Sequence, residues 1–310
     1  MQTQILRMYK ALPSRIKGLL ISIISISLLL VFAYCFEQEI ILKPGGSPSY
    51  KVNRIITQSN KNEISIFGSS RAEQDLDPKI LGANYYNYGL ASLQDSAILF
   101  FVSEELNKHK KTPIIINFDY HGKNTEIQNV DTYIYNIDYS PVKKIVSRKD
   151  KYYYHIPFVK YYGLYEFYLK NYIGRRFSSL WYQYEGALIY KKSLPKDEFR
   201  SAVIQRERQS NEFVNHDYYR KELTSLINSN SNRKFIFLVA PYHSSFFVKF
   251  NGENRALSFL TYLKSFKNVR VINCSRSIFS EDLFFDSIHL NYRGALKYSA
   301  MIRDSLANHQ

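Results

Sequence analysis

Two cysteines in 310 residues leave no basis for a disulfide-dense secreted scaffold or a four-cysteine zinc site. Cys35 ends an apolar stretch and Cys274 lies far along the chain, so the two are not expected to pair. So low a count says nothing about redox compartment. Glycine (12) and proline (9) are also sparse, which excludes collagenous and low-complexity chains. With 45% hydrophobic and 22% charged residues, the chain can bury a core and is not disordered. No Gly-rich phosphate loop is present: Gly45-Gly46 has no strand before it. No His, Cys or Asp cluster has metal-ligand spacing, so neither a metal nor a cofactor is expected. Acid is the scarcer charge, 27 Asp and Glu against 42 Lys and Arg, for a formal net of +15. No internal repeat is visible.

The longest uncharged run is residues 18–36, GLLISIISISLLLVFAYCF, 19 positions in all. As a helix it would span roughly 28 Å, close to the hydrocarbon thickness of a bilayer. Ser22, Ser25 and Ser27 can return their hydroxyls to carbonyls one turn back. A signal-peptide cleavage site needs small residues where Tyr34 stands, and a lipoprotein signal needs one just before Cys35. A retained single-pass anchor is therefore expected. Arg7, Lys10, Arg15 and Lys17 precede the run with no acid among them, and Glu37 and Glu39 follow it. The positive-inside bias then keeps residues 1–17 cytoplasmic and puts the rest outside the cytoplasmic membrane, which is the periplasm if the cell is Gram-negative. Nucleic acid is the wrong class of partner for such a domain.

Residues 37–61, with Lys43-Pro44-Gly45-Gly46-Ser47-Pro48-Ser49, read as a linker. Beyond it, residues 62–310 alternate strand and helix. Strands are expected at 64–67, 84–90, 113–118, 234–240 and 268–273. Helices are expected from an N-cap at Ser92, over 254–266, and from Tyr292 onward. Runs such as PIIINF and KFIFLVA are apolar on both faces, which points to a parallel sheet covered on both sides. Residues of about 120–225 break the rhythm and read as a Tyr-rich insertion between two strands of that sheet. Residues 141–200 hold 13 Lys or Arg against 5 Asp or Glu, a local net of +8. Exposed rings there could stack on sugars while the basic residues attract acidic polymers. For most of these tyrosines the expected role is amphipathic core, because aromatic side chains usually serve packing.

Three segments fall just past strand ends, where a parallel sheet presents reactive groups. Gly68-Ser69-Ser70 lets the chain turn sharply and leaves a serine facing solvent. Gly89 brings a bare backbone N–H close to a substrate oxygen. In Asp286-Ser287-Ile288-His289 the carboxylate can hold imidazole Nδ1 and leave Nε2 to take a serine proton. His121 and His243 each follow an expected core strand. Each is either a substrate contact or a hydrogen-bonded loop histidine.

Taken in order, Gly68-Ser69-Ser70, Gly89 and Asp286-x-x-His289 resemble the blocks of the SGNH/GDSL hydrolase superfamily. The resemblance covers roughly residues 62–120 and 233–307. It implies a flavodoxin-like three-layer α/β fold around a parallel sheet, here with an N-terminal transmembrane helix and a helical insertion. The Gly-Ser-Ser block and the anchor look most like the branch of polysaccharide O-acetyltransferases, such as the alginate-acetylating proteins, and the D-alanyl transfer protein of teichoic acid systems. It implies Ser70 as nucleophile, His289 as base, Asp286 as its orienting acid, and the amides of Ser70 and Gly89 as oxyanion donors. An acyl donor, a polysaccharide and a multispanning acyltransferase partner are implied with it. Two positions depart from the pattern. Ser69 stands where the standard block has Asp. Asp119 stands where Asn should donate to the oxyanion, and a carboxylate would repel it. Either Asp119 has another task, or Asn117 or Asn124 supplies the donor, or the hole has two donors only. That departure favours an alternative, a catalytically degenerate glycan-binding or assembly protein of the envelope.

Overall fold

A computed structural model describes residues 12–41, 48–91, 93, 95–120, 166, 169–170, 172–174, 181–191, 195–209 and 217–308. The first helix, α1 (Ser14–Phe36), contains the whole uncharged run and continues into a π-helical turn, Glu37–Ile41. It buries none of its residues, and it is long and apolar enough to cross a membrane.

The second helix, α2 (Pro48–Thr57), lies inside the expected linker yet belongs to the packed body. Val52 and Ile55 are buried in the main hydrophobic cluster. The folded unit thus begins before residue 62, because the sparse apolar residues of α2 fall on one face.

The core is a five-stranded, wholly parallel sheet of β1 (Ile64–Phe67), β2 (Tyr85–Asn87), β3 (Ile114–Asn117), β6 (Phe235–Val239) and β7 (Val269–Asn273). The spatial order is β2-β1-β3-β6-β7, the flavodoxin-like order of a doubly wound α/β fold. Each strand falls within its expected run. Alternate side chains go to opposite faces, as a pleated strand requires. Ile114, Ile116, Phe235, Phe237 and Val239 join one cluster, and Ile115, Ile236 and Leu238 join the other. The first face is covered by α2, α5 (Asp95–Leu106), α7 (Asp217–Ser229) and α9 (Glu253–Leu263). The second is covered by α3 (Ser70–Asp75), α4 (Pro78–Leu81), α6 (Lys196–Gln209) and α10 (Tyr292–Ala307). Burying one Val, Leu, Ile or Phe side chain contributes about 1.5–3 kcal/mol, so these two faces hold the body together.

The insertion is not purely helical. Its described residues include an antiparallel hairpin, β4 (Trp181–Tyr184) and β5 (Ala187–Tyr190), separate from the main sheet. Ala187 and Ile189 bury against the α3 side of the core, and Glu185 O at the hairpin tip accepts from Asn87 N at 2.9 Å. A short helix α8 (Phe246–Lys249) follows β6. Ser92, His121 and Asn124, with most of the insertion's tyrosines, lie outside the described residues.

Candidate active site

In this strand order the crevice opens at the carboxyl ends of β1 and β3, where successive connections leave in opposite directions. Gly68 follows β1 with φ +152°, a backbone conformation that only glycine adopts freely. Its turn starts α3 at once: Ser69 caps the helix by accepting from Arg71 N at 3.3 Å, and Ser70 is the first helical residue. Ser70 N–H is one of the opening amides that have no acceptor within the helix.

The Asp286 turn comes from the far end of the chain. Asp286 Oδ1 accepts from the backbone N–H of Ile288 and of His289, both at 2.8 Å, and Phe285 N donates to His289 O at 2.9 Å. Asn291 then caps α10 and fixes the exit of the turn. His289 Nδ1 lies 2.9 Å from Asp286 Oδ2, and His289 Nε2 lies 2.8 Å from Ser70 Oγ. The carboxylate and the imidazole are buried, and the serine is partly exposed. Only the hydroxyl end of this relay meets the crevice.

Arg71, next to the serine, is a buried strut that sequence reasoning did not single out. Its Nε donates to Ile288 O at 2.8 Å and its Nη2 to Pro241 O at 2.7 Å. Its Nη1 lies 3.4 Å from Asp119 Oδ1, its Nε lies 3.5 Å from Asp75 Oδ2, and its guanidinium sits 3.6 Å over the Tyr242 ring. Burial pulls its pKa down, but Tyr242, Asp119 and Asp75 outweigh that and hold it above its ordinary value. Asp75, one turn on, accepts from Leu290 N at 2.8 Å. A single six-residue helix therefore presents Ser70 and grips both sides of the histidine turn.

Asp119 takes up the other end of this network. It accepts from the Ser69 hydroxyl through Oδ2 and from Asn117 Nδ2 at 2.9 Å through Oδ1, beside the Arg71 charge. Its carboxylate thus braces the start of α3. Asn117 is buried, and at least one of its amide hydrogens is directed at Asp119.

Gly89 has a different task from the one expected. Its N–H donates to Asn87 Oδ1 at 2.9 Å, and its carbonyl accepts from Lys51 Nζ. A Cβ at this position would meet Glu73 N at 2.5 Å and Ala72 Cβ at 2.7 Å, so the missing side chain lets the loop lie against α3. Asn87 holds the same helix from below, with Nδ2 donating to Ala72 O at 2.6 Å and Leu76 O at 3.0 Å. Glu73 completes the clamp: Oε1 accepts from Lys51 at 2.8 Å and Oε2 from Ala91 N at 3.0 Å.

His243 braces the histidine turn and is not joined to Ser70. Its N–H donates to Ser287 O at 3.1 Å, Nδ1 lies 2.8 Å from Ser245 Oγ, and burial lowers its pKa. The hairpin closes one side of the turn, with Tyr190 stacked on Phe285 at 4.0 Å between ring centres. Among the described residues, no group of three or more His, Cys, Asp and Glu is arranged to hold a metal ion.

No protein-family model matches this chain, and no curated protein does. Solved structures are similar at low identity. One from Streptococcus pneumonia, named for platelet activating factor, is 11% identical with a TM-score of 0.40, over 91% of this chain and 98% of that one. An acetyl xylan esterase, Est2A, from the rumen bacterium Butyrivibrio proteoclasticus is 11% identical with a TM-score of 0.32, over 80% of this chain and 64% of that one.

Proposed function

We propose that the chain is a membrane-anchored serine esterase or O-acyltransferase of the SGNH type, acting on a cell-envelope or exported polysaccharide. The Ser70–His289–Asp286 hydrogen-bond relay carries this reading. Ser70 Oγ bonds to an ester carbonyl carbon while its proton passes to His289 Nε2, and Asp286 orients and stabilises the imidazolium. When the tetrahedral adduct collapses, the C–O bond to the alcohol breaks and the alcohol leaves with that proton. A sugar hydroxyl or water then takes the acyl group, its own proton passing through His289. On this reading the Ser70 amide at the start of α3 holds the oxyanion. The basic flank before α1 and the acids after it support a cytoplasmic N-terminus and an outer catalytic body. The family resemblance adds a multispanning partner that brings acyl groups across the membrane.

A second reading, a glycan-binding protein that keeps the fold without turnover, is favoured by one observation: the Gly89 N–H is committed to Asn87. A fluorophosphonate probe separates the two, since an activated serine is labelled and an inert one is not. On the first reading Ser70 labels. Ser70→Ala and His289→Ala each lower turnover of an activated ester at least ~10³-fold, and the double variant is scarcely worse than either. Full activity in the Ser70→Ala protein would sink the mechanism.

A further inference from the structure

Helix α2 enters the body at one particular edge of the sheet. At its start, Lys51 reaches Glu73 and Gly89 O, both past the carboxyl ends of β1 and β2. At its end, Arg54 bonds Glu63, which precedes β1 at the amino end. The helix therefore runs antiparallel to the strands, and the chain arriving from α1 joins at the edge that carries Ser70. Only residues 42–47 separate Ile41 from Pro48, a reach of at most about 25 Å even when fully extended. A body of this size measures roughly 45 Å across. A leash that short keeps the edge of the sheet that carries Ser70 within about 25 Å of the end of the Glu37–Ile41 turn.

A separate feature lies on the same edge. Among the described residues, Ile278 (96% exposed) and Val248 (78%) are the most exposed large apolar side chains, more so than any on α1. Val248 belongs to α8 after β6, and Ile278 to the loop after β7. Arg276 lies 3.5 Å over the Phe247 ring, which sets the two loops side by side. Apolar tips on a rim suit the boundary between headgroups and acyl chains.

We propose that the catalytic edge of the sheet faces the bilayer, with Ile278 and Val248 touching the lipid surface, and that the ester attacked by Ser70 is held at that surface. This deepens the reading of the chain as a membrane-anchored serine esterase and rests on it.

The test uses the full chain with Cys35→Ser in phosphatidylcholine–phosphatidylglycerol vesicles, labelled with an environment-sensitive fluorophore at Ile278→Cys or at Lys61→Cys. Lys61 is exposed just before β1, at the opposite edge. A headgroup-level nitroxide lipid should quench the label at 278 about threefold more than the label at 61, as interfacial contact requires. Equal quenching at the two positions overturns the orientation. A second arm inserts about twenty Gly and Ser residues between 44 and 45, enough flexible chain to free the body. Turnover of a lipid-anchored nitrophenyl ester should fall several-fold while that of soluble nitrophenyl acetate is unchanged. Unchanged turnover of both overturns the lipid-held substrate. If neither ester is turned over by the parent protein, the esterase reading fails, and the quenching comparison still decides the orientation.

Discussion

Arg71 is the largest fully buried side chain among the described residues, and every one of its nitrogens has a partner in a different loop or helix turn. Such a charge is tolerated only because two carboxylates and the Tyr242 ring surround it. Removing one partner of a buried pair typically costs about 3–5 kcal/mol. Asp75 has the harder position. Burial pushes its carboxyl up to about 7, despite the opposing pull of Arg71 and His289 and its bond from Leu290 N–H. A carboxyl whose pKa is higher in the folded than the unfolded chain binds its proton more tightly when folded. Asp75 therefore makes the protein less stable as pH rises from about 4, the unfolded value, to about 7, and the loss levels off above that. Thermal melts of the parent and Asp75→Asn at pH 4.5, 6 and 7.5 should show the stability difference shifting steadily in favour of the variant. A difference constant across that range would mean that Asp75 does not titrate there.

At the scale of elements, α3 explains why the site was only partly legible. Gly68, Ser70, Asp286 and His289 could be picked out because their chemistry is local: a turn glycine after a strand, a three-residue spacing on a turn. The strands were legible from apolar runs that fill both faces, as in Ile114–Asn117 and Phe235–Val239. The partners of α3 were not, because Arg71 and Asp75 have the same i, i+4 spacing as any exposed surface pair, and only the fold buries them. Gly89 was misjudged for a related reason: a glycine that makes room for a helix looks the same in sequence as one that frees an amide. Likewise α2 hid inside a polar, Pro- and Gly-marked stretch, and the β4–β5 hairpin inside a Tyr-rich one. The packing role of Gly89 has a direct consequence. In Gly89→Ala the new methyl meets backbone at Glu73, which cannot rotate away, and overpacking of this kind costs about 1–3 kcal/mol. It should lower the melting temperature and also displace Ser70 from His289, so the turnover number falls about tenfold or more. Unchanged melting together with unchanged turnover would return Gly89 to the role of a simple loop residue.

For the molecule as a whole, the question is where the folded body begins, and α2 answers it through energetics. Val52 and Ile55 are each 1% exposed in the main core, and burying each contributes about 1.5–3 kcal/mol. Lys51 neutralises Glu73, which is buried in the α3 clamp, and Arg54 does the same for Glu63. Without Arg54, Glu63 still has Lys110 Nζ at 3.9 Å, but leaving the buried Glu73 without Lys51 costs about 3–5 kcal/mol. The total is of the same order as the whole stability of a domain, about 5–15 kcal/mol. A chain starting at residue 62 should therefore be unfolded or readily proteolysed, although every strand of the sheet and all three relay residues are present. A chain starting at residue 48 should keep a cooperative melt and react with a fluorophosphonate probe as the parent does. Limited proteolysis and thermal melts of the two truncations decide the matter. If the shorter chain melts as cooperatively as the longer one, α2 is a detachable leash and does not hold the Ser70 edge of the sheet near the membrane.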